Sequence, residues 1–162
     1  MTATNQKLID EINDIPDPEV PVLTIQDLGV IRNIEFGANL IITITPTYSG
    51  CPAMQYIEDN IKKVATNNGF ENVTVKTVLT PAWTTDWLSE NGKRKLLEYG
   101  IAPPEKTSVN KGLIFANTQK VVVCPQCKSS NTDMISQFGS TACKALYKCN
   151  QCLETFDYFK CI

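Results

Sequence analysis

Thr45-Pro-Thr-Tyr-Ser-Gly-Cys-Pro-Ala-Met-Gln-Tyr-Ile-Glu-Asp-Asn-Ile-Lys-Lys-Val-Ala-Thr-Asn-Asn-Gly69 is the stretch on which the fold turns. It continues an apolar run, Leu40-Ile41-Ile42-Thr43-Ile44, that reads as a β-strand. A polar turn, Tyr48-Ser49-Gly50, leads into Cys51-Pro52. Proline suits the first position of a helix, where its missing N–H would be unpaired anyway. Pro52 therefore reads as the first helical residue and Cys51 as the N-cap. Met54, Ile57, Ile61 and Val64 follow at spacings of three, four and three, one face of an amphipathic helix. Asn67-Asn68-Gly69 reads as its stop. A thiol at a helix start meets unpaired N–H groups and the positive end of the dipole. That placement predicts a lowered Cys51 pKa and a better nucleophile or metal ligand. The alternative is a small buried hydrophobe.

Upstream, Thr4 to Ile15 reads as a short amphipathic helix with Leu8, Ile12 and Ile15 on one side. Asp17-Pro18-Glu19-Val20-Pro21 follows. Residues before proline are pushed towards extended geometry, so Asp17 and Glu19 are expected on one face. Two carboxylates near a thiolate would suit a hard or borderline cation. A solvated polar turn is the alternative. Val22 to Asp27 reads as a helical turn closed by Gly29, then Val30–Phe36 as a strand, with a hairpin turn at Gly37-Ala38-Asn39. Val73 to Leu79 is the third strand. The order α-β-β-α-β predicts an α+β class, a small sheet with helices packed on it. Trp83 and Trp87 lie beside a further helix, capped by Thr84 or Thr85 and weakened midway by Gly92. They read either as core or as a docking patch.

The chain has 162 residues, 43% of them hydrophobic, enough for one domain or a small domain with a mini-domain. The net charge of −2 carries no basic footprint, so nucleic acid is not an expected partner. The N-terminus lacks the pattern of a signal peptide and no apolar run could span a membrane, so a cytoplasmic protein is expected. Seven Cys and no His restrict the chemistry. Ser-His and Cys-His catalysis are excluded, as is a ferritin-like di-iron oxygenase built on Glu-x-x-His. An odd number of thiols points to metal binding or reactive cysteines over a disulfide framework.

The C-terminal piece supplies the metal site. Cys124-Pro125-Gln126-Cys127 and Cys149-Asn150-Gln151-Cys152 are separated by 21 residues. Two such knuckles predict a four-cysteine site holding structural Zn2+, in preference to an iron–sulfur cluster. The strand-like segments around them, Met134–Phe138, Ala145–Lys148 and 155–160, predict a zinc ribbon with little core of its own, dependent on metal to fold. Cys143 and Cys161 remain as auxiliary thiols on facing strands, close to each other or simply buried. The polar, proline-stiffened segment after Ile101 predicts separable modules: 1–105, a linker over 106–120, and the ribbon over 121–162.

Asp17-Pro18-Glu19-Val20-Pro21, Asp27-Leu28-Gly29-Val30 and Ser49-Gly50-Cys51-Pro52 resemble the SufT-like domain of iron–sulfur cluster assembly. With Pro81-Ala82-Trp83, Gly100-Ile101-Ala102-Pro103-Pro104 and Phe138–Tyr147, essentially the whole chain resembles the PaaD family, the D subunit of the bacterial phenylacetyl-CoA epoxidase system of phenylacetate catabolism. The resemblance places the family's reactive Cys at Cys51, its acidic pair at Asp17 and Glu19, and a Thr at Thr47. Tyr48 stands where many such domains carry a second Thr. It implies a non-enzymatic maturation factor that handles iron or an iron–sulfur cluster transiently. The implied partners are the di-iron oxygenase and the iron–sulfur reductase subunits, together with iron–sulfur assembly proteins. A homodimer stays open. The alternative is a non-catalytic scaffold subunit in which Cys51 is structural. A thiol redox enzyme is weaker, because only the ribbon knuckles supply CxxC.

Overall fold

The computed structural model describes residues 3–104 and 121–160. They fall into two compact units, 1–92 and 93–162. The expected linker over 106–120 lies outside the described residues. The division comes earlier in the chain than the expected module end at 105, because Ala102 is tied to the ribbon. Its N–H donates to the Asp157 carbonyl at 2.8 Å and its carbonyl accepts from Phe159 at 2.9 Å.

The first unit opens with helix α1 (Ala3–Asn13), whose Leu8 and Ile12 are buried. Strands β1 (Ile31–Phe36) and β2 (Leu40–Ile44) pair antiparallel, and β3 (Val73–Thr77) pairs parallel with β2. The parallel pair is joined through helix α2 (Ala53–Asn67), so β2 is the central strand and leads directly into the Cys51 turn. Leu40, Ile42 and Ile44 on β2 are all but inaccessible, as are Ile57 and Ile61 on α2. Each such side chain contributes about 1.5–3 kcal/mol of burial. The inward face of α2 is Ala53, Ile57, Ile61 and Ala65. Met54 and Val64, expected on that face, sit at its margins. The helix stops where Gly69 takes φ +88°, letting the Phe70 N–H reach back to the Ala65 carbonyl at 3.1 Å.

The segment after β3 differs from expectation. A single helix with Gly92 at its middle does not form. A 3-10 turn (Thr85–Trp87) is followed by extended backbone at Leu88, and α3 (Glu90–Tyr99) starts afresh. The Ser89 hydroxyl accepts from the Gly92 N–H at 2.8 Å and donates to Asp27 Oδ1 at 2.8 Å. Asn91 reaches the same carboxylate oxygen at 3.1 Å. Buried Asp27 therefore fixes the start of α3. Gly92 lies in its first turn because a Cβ there would stand 3.0 Å from the Asp27 Cβ. Of the two tryptophans, Trp83 belongs to the core, with its indole N–H on the Leu28 carbonyl at 2.7 Å. Trp87 is half-buried beneath the Arg32 guanidinium, 3.8 Å from the ring centroid.

Gly29 closes the 24–29 turns at φ +64°, as its place in the sequence implied. A Cβ at that position would lie 2.6 Å from the Trp87 carbonyl oxygen. Gly29→Ala is expected to cost about 3 kcal/mol, combining left-handed strain with displacement of the Trp87 backbone. Urea denaturation of the full chain, followed on the unit containing Trp83 and Trp87, measures it; a loss well under half that size would refute the account.

In the second unit β4 (Thr132–Ser136), β5 (Lys144–Cys149) and β6 (Thr155–Phe159) form an antiparallel sheet in that order. β4 begins two residues before the expected strand, and Phe138 is exposed beyond its end. The ribbon is also less bare than expected. Ala102, Val122, Ala145, Tyr147, Phe156 and Tyr158 pack with Cys124 and Cys149 into a small core. Tyr147 stacks on Phe156 at 6.0 Å and meets Tyr158 edge-on at 5.7 Å.

Candidate functional site

Two groups of side chains carry chemistry, one in each unit. The first is built where β2 gives way to α2. The chain turns back through Tyr48, whose carbonyl accepts from the Cys51 N–H at 3.2 Å, and Pro52 already has helical angles (φ −68°, ψ −20°). The helix proper begins at Ala53 with Pro52 as its N-cap, so Cys51 sits one position before the cap instead of filling it. The Ala53 N–H and the Thr47 hydroxyl both reach the Cys51 sulfur, and the Glu19 and Asp17 carboxylates lie close enough to act on it. Cys51 and Thr47 thus touch, with the Asp17 and Glu19 carboxylates within electrostatic reach of the thiol.

Their electrostatics correct the expected activation of the thiol. Half-burial of Cys51 is the largest influence and pushes its pKa up. The Ala53 N–H and the Thr47 hydroxyl pull it down, while Glu19 and Asp17 push it further up. The helix start favours an anion, but desolvation and two negative neighbours outweigh it, and Cys51 is held as a neutral thiol at pH 7. Alkylation of Cys51 is accordingly expected to be slow at pH 7 and to accelerate only above the usual cysteine range. Peptide mass spectrometry after timed iodoacetamide treatment measures it; reactivity already at its plateau at pH 7 contradicts the assignment.

The acidic pair also differs from its expected geometry. Asp17 does not project from an extended strand beside Glu19. The chain bends over 18–20, and Asp17 Oδ1 accepts from the Glu19 N–H at 2.9 Å and the Val20 N–H at 2.8 Å. An aspartate followed by two available N–H groups captures them in preference to extending. That signal was present in Asp17-Pro18-Glu19-Val20. Asp17 is buried and Glu19 half-buried. Asp27, likewise buried, is a polar residue whose structural role was missed. Thr24 three residues before it, with reciprocal side-chain to N–H contacts at 3.2 and 3.3 Å, was the local hint.

The second group is Cys124, Cys127, Cys149 and Cys152, whose sulfur atoms all lie within 4.8 Å of one another. Cys124 and Cys152 are 3.7 Å apart, Cys127 and Cys149 3.5 Å. A tetrahedral shell with metal–sulfur bonds of about 2.3 Å has edges of about 3.8 Å, so the donor set fits a four-coordinate thiophilic metal. The two knuckles are built alike. Each is followed by a residue in the left-handed region, Lys128 (φ 64°) and Leu153 (φ 66°). The Lys128 N–H returns to the Cys124 carbonyl at 3.0 Å, and the Cys149 N–H takes the Glu154 carbonyl at 2.8 Å. The Cys152 and Gln151 N–H groups hold Cys149 down to about 6, against its burial. Cys152 is driven the other way, up to about 12. The Glu154 N–H opposes the rise, but burial and the sulfurs of Cys127, Cys149 and Cys124 outweigh it. One thiolate is stabilised by the protein's own donors, whereas four together need a cation.

Cys143 is buried, 3.1 Å from the Thr141 hydroxyl, and its carbonyl accepts from the Lys160 N–H at 2.9 Å. It stands apart from the four-cysteine group, and Cys161 lies outside the described residues. Among the described residues no helix is long and apolar enough to cross a membrane.

Residues 5–78 match the family of iron–sulfur cluster assembly proteins, and residues 111–160 match the PaaD zinc β-ribbon domain. The chain is 51% identical to the Escherichia coli (strain K12) protein named as the D subunit of 1,2-phenylacetyl-CoA epoxidase, covering 93% of this chain and 89% of that one. It is 32% identical to an Fe-S protein maturation auxiliary factor of Porphyromonas gingivalis, over 60% of this chain and 92% of the relative. A domain of unknown function, DUF59, from Bacillus anthracis has the same fold over 58% of this chain and 92% of its own, with 30% identity and a TM-score of 0.53.

Proposed function

The chain belongs to the PaaD family, and on that footing we propose that it is an accessory maturation factor for the phenylacetyl-CoA epoxidase. It assists the assembly or insertion of iron or an iron–sulfur cluster into the oxygenase or reductase components, and acts in the cytoplasm as a stoichiometric helper, not an enzyme. One observation carries the reading. In the part of the chain that matches iron–sulfur assembly proteins, the Cys51 thiol is held between an N–H, a hydroxyl and two carboxylates. A neutral thiol among carboxylates is a poor nucleophile, but a cation arriving there reverses the balance. The carboxylates attract it, and the thiol gives up its proton to solvent as sulfur binds. The same negative neighbours that suppress the empty thiolate then stabilise the loaded one.

The four ribbon cysteines are assigned to structural Zn2+. All four positions are protein thiolates, so no coordination site is left open for chemistry. Zinc supplies folding energy there, and the knuckles orient the sulfurs. The first unit, 1–92, and the ribbon-bearing second unit, 93–162, are taken as a cargo-handling module and a docking module. Met134, Ile135, Phe138 and Leu153 are exposed on the second. That exposure also favours the alternative, a scaffold subunit of the oxygenase complex.

The test is the iron and acid-labile sulfide content of the oxygenase and reductase components, purified from cells with and without this chain. The maturation reading expects metal-poor components in its absence. Fully loaded components that merely fail to assemble would support the scaffold and overturn maturation.

A further inference from the structure

The two edges of the ribbon sheet are finished differently. The outer side of β6 is covered by Ala102, which bridges to Tyr158. Among the described residues no strand pairs with the outer side of β4. An open edge invites indiscriminate strand pairing, and natural sheets blunt it with a charge or a bulge. β4 has both. Its Asp133 carboxylate accepts from the Asn150 amide at 2.8 Å. Met134 pairs with Tyr147 and Ser136 with Leu146, so Ile135 is the extra residue of a bulge. A bulge interrupts pairing and re-aims side chains. Met134 and Ile135, neighbours in sequence, are 56% and 53% exposed. The edge is thus unsuited to strand addition, yet displays two apolar side chains.

The loop that follows displays a third. Phe138 is 57% exposed. The Ser136 hydroxyl accepts from the Phe138 N–H at 3.2 Å and donates to the Phe138 carbonyl at 2.8 Å. Gly139 donates to the Lys144 carbonyl at 2.7 Å, and a Cβ on it would stand 2.7 Å from Asp157 Oδ1. The Lys160 ammonium lies 4.4 Å from the centre of the Phe138 ring. Lys144 has a carboxylate 4.0 Å away, at Asp157, whereas Lys160 has none among the described residues. A single exposed apolar side chain needs no explanation. Here a bulge and a bonded loop hold three of them beside an unmatched cation, and an aromatic fixed in advance loses little entropy on binding.

We propose that Met134, Ile135 and Phe138 are the surface that docks the oxygenase component, with Phe138 as anchor, and that the component receives them in an apolar cleft whose rim carries a carboxylate for Lys160. The inference rests on the reading of the chain as a partner of the oxygenase, which the maturation factor and the scaffold share, and it names the surface and the chemistry of that partner. Charge decides between occupants. Across a twofold axis a second copy presents the same patch to itself. The carboxylates on the strands of this sheet are Asp133 and Asp157, and each is already engaged, by Asn150 and by Lys144. A second copy therefore brings Lys160 another lysine in place of a carboxylate, and a different protein is needed to match it.

The full chain, with zinc in its ribbon, is titrated with the purified oxygenase component at low and at high salt, and separately with the purified reductase component. Phe138→Ala should weaken oxygenase binding about thirtyfold or more, the scale of a buried aromatic anchor. Ile135→Thr, which keeps a strand former, should weaken it several-fold. Lys160→Gln should weaken it about threefold at low salt and flatten its salt dependence, as loss of a rim charge does. Leu79→Ala, in the first unit and 56% exposed, should bind within about twofold of wild type, as a scattered surface residue does. Zinc content and the amide dispersion of β4, β5 and β6 check each variant's fold; if Phe138→Ala loses either, Ile135→Thr decides. Wild-type affinity in the folded Phe138→Ala or in Ile135→Thr, or an equal loss in Leu79→Ala, overturns the surface. An unchanged salt dependence in Lys160→Gln overturns the carboxylate rim. Binding of the reductase alone, or a concentration-dependent dimer that Phe138→Ala abolishes, overturns the occupant. Absence of oxygenase binding by the wild type overturns the proposal as a whole. Maturation fails separately: an oxygenase fully loaded without this chain, yet released by Phe138→Ala, sinks maturation and leaves the surface standing. An oxygenase that is metal-poor without the chain but binds Phe138→Ala normally does the reverse.

Discussion

Cys149→Ser is expected to empty the four-cysteine site and unfold the ribbon, while residues 3–92 keep their structure. Cys149 is both one of the four clustered thiols and a core residue. It ends β5, is fully buried, and packs with Tyr147 and Phe156. Serine would replace a thiolate with a hydroxyl that stays protonated, leaving three sulfurs around the metal. Structural zinc contributes about 10–16 kcal/mol to small zinc-finger domains, comparable to the whole stability of a typical domain. The ribbon core, a few aromatic and small residues on one face of a three-stranded sheet, does not replace that. Metal analysis should fall from one zinc per chain to near none, and the dispersed amide signals of β4, β5 and β6 should collapse. Cys143→Ser is the control, since that sulfur lies outside the group, and it should keep its zinc. Retention of one zinc by Cys149→Ser, or a cluster-like visible spectrum from the wild-type ribbon, would overturn the assignment.

Features set by near neighbours in sequence could be read without coordinates. The β2 run, the α2 amphipathic face, the Gly69 stop and the two knuckles each follow from spacing within a few residues, and the structure places them within a residue or two of expectation. The misses were set by partners far along the chain. Ser89 starts α3 afresh because it binds Asp27, 62 residues away. The thiol of Cys51 is raised because burial and the carboxylates of a loop more than thirty positions upstream outweigh the helix start that the local sequence advertised. The ribbon core draws Ala102 across to β6, which no periodicity near Ala102 reveals. Asp17 is the exception. Its grip on the Glu19 and Val20 N–H groups is local, and an extended reading of the prolines hid it.

Cys51→Ser is expected to leave the fold and partner binding intact and to abolish the gain in active oxygenase that the wild-type chain provides. The substitution is nearly isosteric. Serine can accept the Ala53 N–H and exchange a hydrogen bond with Thr47, the two contacts that hold the sulfur. At a half-buried position with its contacts conserved, the change in stability should stay within about 0.5–1 kcal/mol. The chemistry does not survive in the same way. A serine hydroxyl does not ionise at neutral pH and is a hard, weak ligand for iron, whereas a thiol gives up its proton on binding a cation. Co-expression of Cys51→Ser with the oxygenase components measures the consequence as iron content and epoxidase activity, expected to fall to the level seen without the chain. Thermal unfolding and pull-down of the components on the same variant separate loss of delivery from loss of structure. Full iron loading and activity with Cys51→Ser would remove the thiol from the mechanism and leave the scaffold role, carried by the exposed apolar residues of the ribbon, as the reading that stands.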